Sequence, residues 1–186
     1  MKLHDLKFLP LLVFGILLGS CQGPPTDEKL ISSLKRDLTF LAADDLEGRA
    51  IGTIGEQKAA EYLAQEFEKL GLKPMGTNGF FQEFTVSKPS NPHEEAVIGT
   101  EGAGITGRNV IGYLDKKGEK TIVIGAHFDH LGMGGQGSLH RGDSAIHNGA
   151  DDNASGTAAM LVLADYFSKN RPQHGMLFVG LDAEEM

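Results

Sequence analysis

The chain has one cysteine, Cys21, and no tryptophan among its 186 residues. A single thiol excludes an internal disulfide, and it excludes the cysteine-rich sites that hold structural zinc. Any metal must then be held by imidazole and carboxylate. No apolar run reaches the roughly eighteen residues that a membrane-spanning helix needs. Positive charge is also scarce: 17 Lys and Arg against 25 Asp and Glu give a formal charge of -8. With no basic stripe to neutralise phosphates, the chain is not read as a nucleic-acid binder. A composition of 40% hydrophobic and 23% charged residues excludes fibrous and wholly disordered chains and suits one globular domain.

What is present begins with a separate amino-terminal object. Lys2 and Lys7 precede a short apolar stretch from Phe8 to Leu18, followed by the small residues Gly19 and Ser20. That order predicts a secretory signal peptide over residues 1–20. Leu18-Gly19-Ser20-Cys21 resembles the bacterial lipobox, which implies that Cys21 becomes the lipid-modified first residue of an exported protein anchored to a membrane of the cell envelope, on the periplasmic side or the cell surface. Residues 21–27, with Gln22-Gly23-Pro24-Pro25, read as a tether, and residues 28–186 as the folded domain.

Within the domain, Leu30, Leu34, Leu38 and Leu41 form an apolar stripe at helical spacing, with Thr26 or Asp27 as N-cap. A glycine-containing loop follows, and a second helix is expected from Glu56 to Leu70, stopped by Gly71. Phe80 to Val86 reads as a strand and Ser87 to Gly107 as an exposed connection. Asn109–Leu114 and Thr121–Ala126 read as two strands of a hairpin about a turn at Asp115–Glu119, the second buried on both faces. A helix over Asn153–Lys169 and a buried strand over Met176–Leu181 complete a strand, helix, strand unit. The fold class expected is α/β, a three-layer αβα arrangement with a mixed, mostly parallel sheet. In such sheets ligands sit where strands end.

Three clusters fall at those ends: His127-Phe128-Asp129-His130, Gly149-Ala150-Asp151-Asp152-Asn153-Ala154-Ser155-Gly156 and Asp182-Ala183-Glu184-Glu185. Histidine and carboxylate without cysteine are the donors of a catalytic divalent ion, zinc or similar. His127 can give one ring nitrogen to metal while Asp129, two residues on, takes the other ring proton. A carboxylate at Asp151 could lie between two ions. Of the paired glutamates, one can bind metal while the other remains free to carry a proton from water to a leaving amine. His130 is left open between supporting a ligand, touching substrate and a plain loop role. His140, Arg141, Asp143 and His147 are read as a solvated loop.

These three motifs, with Leu41-Ala42-Ala43-Asp44-Asp45-Leu46-Glu47-Gly48-Arg49, resemble the di-zinc aminopeptidases related to aminopeptidase S, aminopeptidase Y and glutamate carboxypeptidase II, from about Leu30 onward. The resemblance implies two zinc ions, with His127 on one, Glu185 on the other and Asp151 between them. It implies Glu184 as general base, Asp129 orienting His127, Asp152 supporting the bridge and a cis Asp151–Asp152 bond. It also implies peptide substrates and hydrolysis of their amino-terminal residues. The family draws a further acidic ligand and a histidine from segments downstream of the paired glutamates, so the expectation is a partial, inactive chain. Related carboxypeptidases, glutaminyl cyclases and a non-catalytic peptidase-like binding protein are the alternatives. Oligomeric state is not legible.

Overall fold

The computed structural model describes residues 26–87, 97–99, 104–115, 118–135, 138–170 and 172–186. The expected signal peptide, Cys21, most of the tether and the centre of the Asp115–Glu119 turn lie outside the described residues.

Helix α1 spans Asp27–Leu41. Thr26 is its N-cap, and Asp27 and Glu28 in the first turn complement the helix dipole. Its inner face delivers Leu41 to the core and Asp37 to a buried polar contact, where Asp37 accepts from Tyr62 Oη at 2.6 Å and Arg36 Nε at 2.7 Å. Helix α2, Ile54–Lys69, starts where the Thr53 hydroxyl accepts the Glu56 amide. Ala59, Ala60, Leu63, Ala64 and Phe67 form its buried stripe, and Gly71 leaves the helix at φ +73. Helix α3, Ser155–Lys169, buries Thr157, Ala158, Met160, Leu161 and Ala164.

Among the described residues six strands make one sheet: β1 (Lys73–Pro74), β2 (Phe81–Ser87), β3 (Val97–Gly99), β4 (Ile105–Leu114), β5 (Thr121–His127) and β6 (Gly175–Leu181). The order is β3-β2-β4-β6-β5, with β1 paired to β4. The segment from Ser87 to Gly107 is therefore not only a connection, since it contributes β3 and the start of β4.

Two expectations about strand placement are corrected. β4 and β5 do not form a hairpin, because β6 lies between them, antiparallel to β4 and parallel to β5. The β6 sequence is apolar or glycine throughout, so it takes the site with a strand on each side. That leaves β5 at the edge, where Ile122 and Val123 are exposed rather than buried on both faces. The mixed sheet is as expected, but among the described strands only the β5–β6 pair is parallel. Connectivity accounts for the parallel pair, because β5–α3–β6 is the one strand, helix, strand unit among the described elements and its crossover helix returns the chain in the same direction beside β5.

The helices form one layer: α1 and α2 both pack on α3, α2 lies on β4 and α3 on β5. Phe67, Phe128, Phe178, Leu41 and Leu63 fill the space between that layer and the sheet. Met176 and Phe178 point into this core, so by alternation Leu177, Val179 and Leu181 take the other face. No helix is described there, and Leu181 is 42% exposed.

Candidate metal centre

The parallel pairing of β5 and β6 brings His127 and Leu181 into register, so the residues following both strands emerge side by side. The Thr157 hydroxyl donates to the His127 carbonyl at 2.8 Å, which ties the start of α3 to the end of β5. All three sequence clusters therefore meet at one end of the sheet.

His127 Nε2 lies 3.1 Å from Asp152 Oδ1 and 4.0 Å from Glu184 Oε2. His130 Nδ1 lies 2.7 Å from Glu185 Oε1. One donor atom each from His130, Asp152 and Glu185 fall within 4.8 Å of one another. Asp152 thus stands between His127 on one side and the His130–Glu185 pair on the other. The Glu184 side chain is exposed, and among the described residues its carboxylate makes only the long approach to His127.

The two aspartates exchange places relative to expectation. Asp152 faces the histidines, while the Asp151 carboxylate is exposed and has no hydrogen-bond or ion-pair partner among the described residues. The cis bond is Asp152–Asn153, not Asp151–Asp152. The local backbone accounts for the shift. Gly149 reverses the chain at φ +55, Asn153 Oδ1 accepts the Gly156 amide at 3.0 Å, and α3 begins at Ser155 rather than Asn153. Between those two fixed points Asp152 projects inward.

Beneath the exposed donors lies a buried tier. Asp129, 1% exposed, accepts the Glu185 amide through Oδ2 at 3.1 Å, and burial raises its pKa. Its Oδ1 is 3.5 Å from His127 Nδ1, and both atoms are buried without a hydrogen-bond partner. Asp182 accepts the amides of Arg108 at 2.8 Å and Ala183 at 2.9 Å, while its own amide donates to Asn109 Oδ1 at 3.0 Å. These bonds hold Ala183 at φ +70, the turn that sends Glu184 and Glu185 into the crevice. Burial pushes the Asp182 carboxyl up to about 7. Fully buried Glu56 is pushed up to about 8, by burial first and by the neighbouring Asp182 second, against the opposing pull of Arg108 at 3.3 Å.

Arg49 is the largest buried side chain. Its Nε donates to the Phe128 carbonyl at 2.6 Å, Nη1 to Asn148 at 2.7 Å and also to Leu41, and Nη2 to Gly149 at 3.0 Å. One guanidinium therefore joins the loop carrying His127 and Asp129 to the loop carrying Asp152. Burial pulls its pKa down to about 10. The approach to it is left-handed, with Glu47, Gly48 and Arg49 at φ +48, +71 and +51. At Gly48 a Cβ would stand 2.5 Å from the His147 carbonyl, so glycine is required there.

Sequence reasoning named none of Arg49, Glu56 and Asp182 as site residues. The available signals were the quoted Leu41–Arg49 segment and the Thr53-x-x-Glu56 spacing of a capping box. The loop histidines behave as expected of a loop: His147 Nε2 meets Ser138 Oγ at 2.6 Å and His140 Nε2 meets the Asp143 carbonyl at 3.1 Å, away from the donor cluster.

The residues present fit a divalent ion. Imidazole and carboxylate donors converge without cysteine or lysine among them, and the unpartnered His127 Nδ1 stands beside the unpartnered Asp129 Oδ1, the ring–carboxylate pairing that orients a metal-binding histidine.

Residues 109–186 match Peptidase family M28. Over 140 residues the chain is 27% identical to the alkaline phosphatase isozyme conversion protein of Escherichia coli strain K12, covering 74% of this chain and 38% of that protein. A Zn-dependent exopeptidase from Parabacteroides distasonis shares the fold with a TM-score of 0.65 at 22% identity, over 83% of this chain and 47% of the other. The Fimbriiglobus ruber glutaminyl cyclase does so with a TM-score of 0.66 at 23% identity, over 88% and 48%. The chain spans less than half the length of each of these proteins. Together the matches bear out the resemblance to the di-zinc aminopeptidase family and the zinc exopeptidase-like αβα fold.

Proposed function

We propose that this chain, matched over residues 109–186 to Peptidase family M28, carries the metal centre of a zinc-dependent exopeptidase of the aminopeptidase type. The observation that carries the reading is that Asp152 meets His127 on one side and clusters with His130 and Glu185 on the other, with the exposed Glu184 carboxylate beside His127. His127 would hold one ion, Glu185 a second, and Asp152 both. Bound there, zinc would polarise a peptide carbonyl and acidify water.

The chain's own residues supply the rest. The Glu184 carboxylate accepts a proton from a water in the crevice and returns it to the departing amine. Asp129 holds the Glu185 amide and stands behind His127, and Asp182 sets the turn that aims Glu184. Peptides are the proposed substrates. The amino-terminal motif adds export and lipid anchoring through Cys21 to this reading.

The test is Glu184→Gln. In the full-length protein the variant should retain the zinc content of the parent and lose at least about a hundredfold in turnover of amino-acid anilides, the lower end of the range for a proton-transfer residue. Unchanged turnover would remove Glu184 from the reaction. Conversion of an N-terminal glutaminyl peptide to the cyclised product, with no anilide cleavage, would instead select the glutaminyl cyclase reading that the Fimbriiglobus ruber fold likeness keeps in view.

A further inference from the structure

Glu56 stands where a capping box would use it. Three residues after the N-cap Thr53, a glutamate ordinarily reaches back to the N-cap amide. Here the Thr53 amide donates to the Ala50 carbonyl at 3.1 Å instead, and the Glu56 side chain turns inward until none of it is exposed. Facing it are Arg108 on β4, Asp182 after β6, Asp129 after β5 and the Gly52 amide, yet neither of its oxygens completes a hydrogen bond.

Two buried carboxyls, Glu56 and Asp182, thus share the Arg108 guanidinium, and their bonding differs. Asp182 accepts an amide on each oxygen, from Ala183 on Oδ1 at 2.9 Å and from Arg108 on Oδ2 at 2.8 Å, as an ionised carboxylate does. Glu56 has Arg108 Nε at 3.3 Å, and that nitrogen is itself buried without a bond. A buried carboxylate with no donor takes up a proton rather than stay charged. Resting on the Glu184 reading above, we propose that Glu56 is a positioning residue: held as the neutral acid, it leaves the Arg108 charge to Asp182, and the ionised Asp182 fixes the Ala183 turn that aims Glu184.

Loss of the Glu56 proton puts a second carboxylate in the same pocket. It draws the unpartnered Arg108 Nε from 3.3 Å into a bond, and Asp182 then holds its charge without a counter-ion. The turn loosens and Glu184 loses its aim. Burial, and Asp182 after it, push the Glu56 carboxyl up to about 8, while burial pushes Asp182 to about 7, so as pH rises Glu56 is the later of the two to ionise. The competing account gives Glu56 a role in stability alone.

The pH profile of anilide turnover in the full-length protein separates the two accounts. In the parent, kcat should fall as pH rises through about 8, by about tenfold for each further pH unit, with KM unchanged. Glu56→Gln, which cannot ionise, should carry that fall at least about one pH unit higher; a role in stability alone would lower the amount of active protein and leave the profile where it was. The proton itself is read in the parent from 13C-glutamate carboxyl resonances. The Glu56 signal, identified by its absence from Glu56→Gln, should remain that of the acid up to about pH 8, and the Ala183 amide resonance should shift as it titrates. An unmoved kcat profile in Glu56→Gln, or a Glu56 carboxyl already ionised at about pH 6, nearer the ordinary carboxylate range, overturns the proposal and leaves the role of Glu184 standing. A full-length protein that cleaves no anilide at any pH overturns that role, and the Ala183 amide then decides: a shift that follows Glu56 upholds its hold on the turn, and one that ignores Glu56 overturns it.

Discussion

The centre is built in two tiers that differ in almost every physical respect. The donor tier, Asp152 and Glu184 above all, is exposed, with few bonds to the protein and charges in water. The tier beneath it, Arg49, Glu56, Asp129 and Asp182, is buried, bonded mainly to backbone, and shifted in pKa by burial. The lesson is a separation of tasks. The lower tier holds loops in place and belongs to folding stability, whereas in the proposed reading the exposed members of the upper tier would serve metal and substrate and add little to the fold. Substitutions ordered by their effect on stability test that division.

The largest effect is expected at Arg49. Replacing it with Met keeps most of the volume but takes the guanidinium donor from the carbonyls of Leu41, Phe128 and Asn148, while the Gly149 carbonyl keeps the Ala154 amide. Each orphaned buried acceptor costs about 1–3 kcal/mol, so a total of at least about 3 kcal/mol is expected, read as a lost or strongly lowered denaturant midpoint. A variant within 1 kcal/mol of the parent would show that the clamp is dispensable.

Glu56 comes next, and its effect depends on pH. The folded protein holds the Glu56 and Asp182 protons up to about 8 and about 7, well above the ordinary carboxylate range. Protons bound more tightly when folded stabilise the fold at acid pH, and that contribution is lost as pH rises from the unfolded value through the folded one. The melting temperature in EDTA should therefore fall between pH 5 and pH 9. Glu56→Gln, a permanent mimic of the neutral acid, should flatten the fall; an identical slope would assign it elsewhere.

How much of this was legible in the sequence follows the same division. The donor tier was readable because His127, Glu184 and Glu185 are polar residues at the ends of apolar runs, where a pattern breaks. The one-residue exchange of Asp151 and Asp152 was not, because it depends on the backbone path between Gly149 and Ser155, and both neighbours are the same residue type. The lower tier was invisible for a different reason. A buried Arg49 or Glu56 looks on paper like any surface charge, and its partners are distant in sequence, up to Gly149 for Arg49. The helices came through because each carries its own stripe. The place of β6 between β4 and β5 did not, since strand order is set by which strand most needs two neighbours.

A smaller and purely local change checks the scale of these numbers. Thr53→Ala removes the hydroxyl that accepts the Glu56 amide at the start of α2 and should cost about 1 kcal/mol. It should act on the denaturant midpoint without altering the pH slope that Glu56 sets. A change in that slope would mean that the cap and the buried carboxyl are coupled.

The smallest stability effect should come from the two aspartates, and the contrast between them is the sharpest probe of the upper tier. Both side chains are exposed, so Asp151→Asn and Asp152→Asn should each leave metal-free stability within about 0.5 kcal/mol of the parent, as surface changes do. Their zinc binding should diverge completely. Asp152 stands between His127 and the His130–Glu185 pair, so in the proposed centre its loss would remove a donor from both ions, whereas the Asp151 side chain is exposed. Titration of each variant with zinc should show binding kept in Asp151→Asn and lost in Asp152→Asn. The reverse pattern would restore Asp151 to the bridging place that the sequence alone suggested. A fall in metal-free stability at Asp152 would mean that this residue serves the fold as well, and the division between the tiers would fail at its most exposed member.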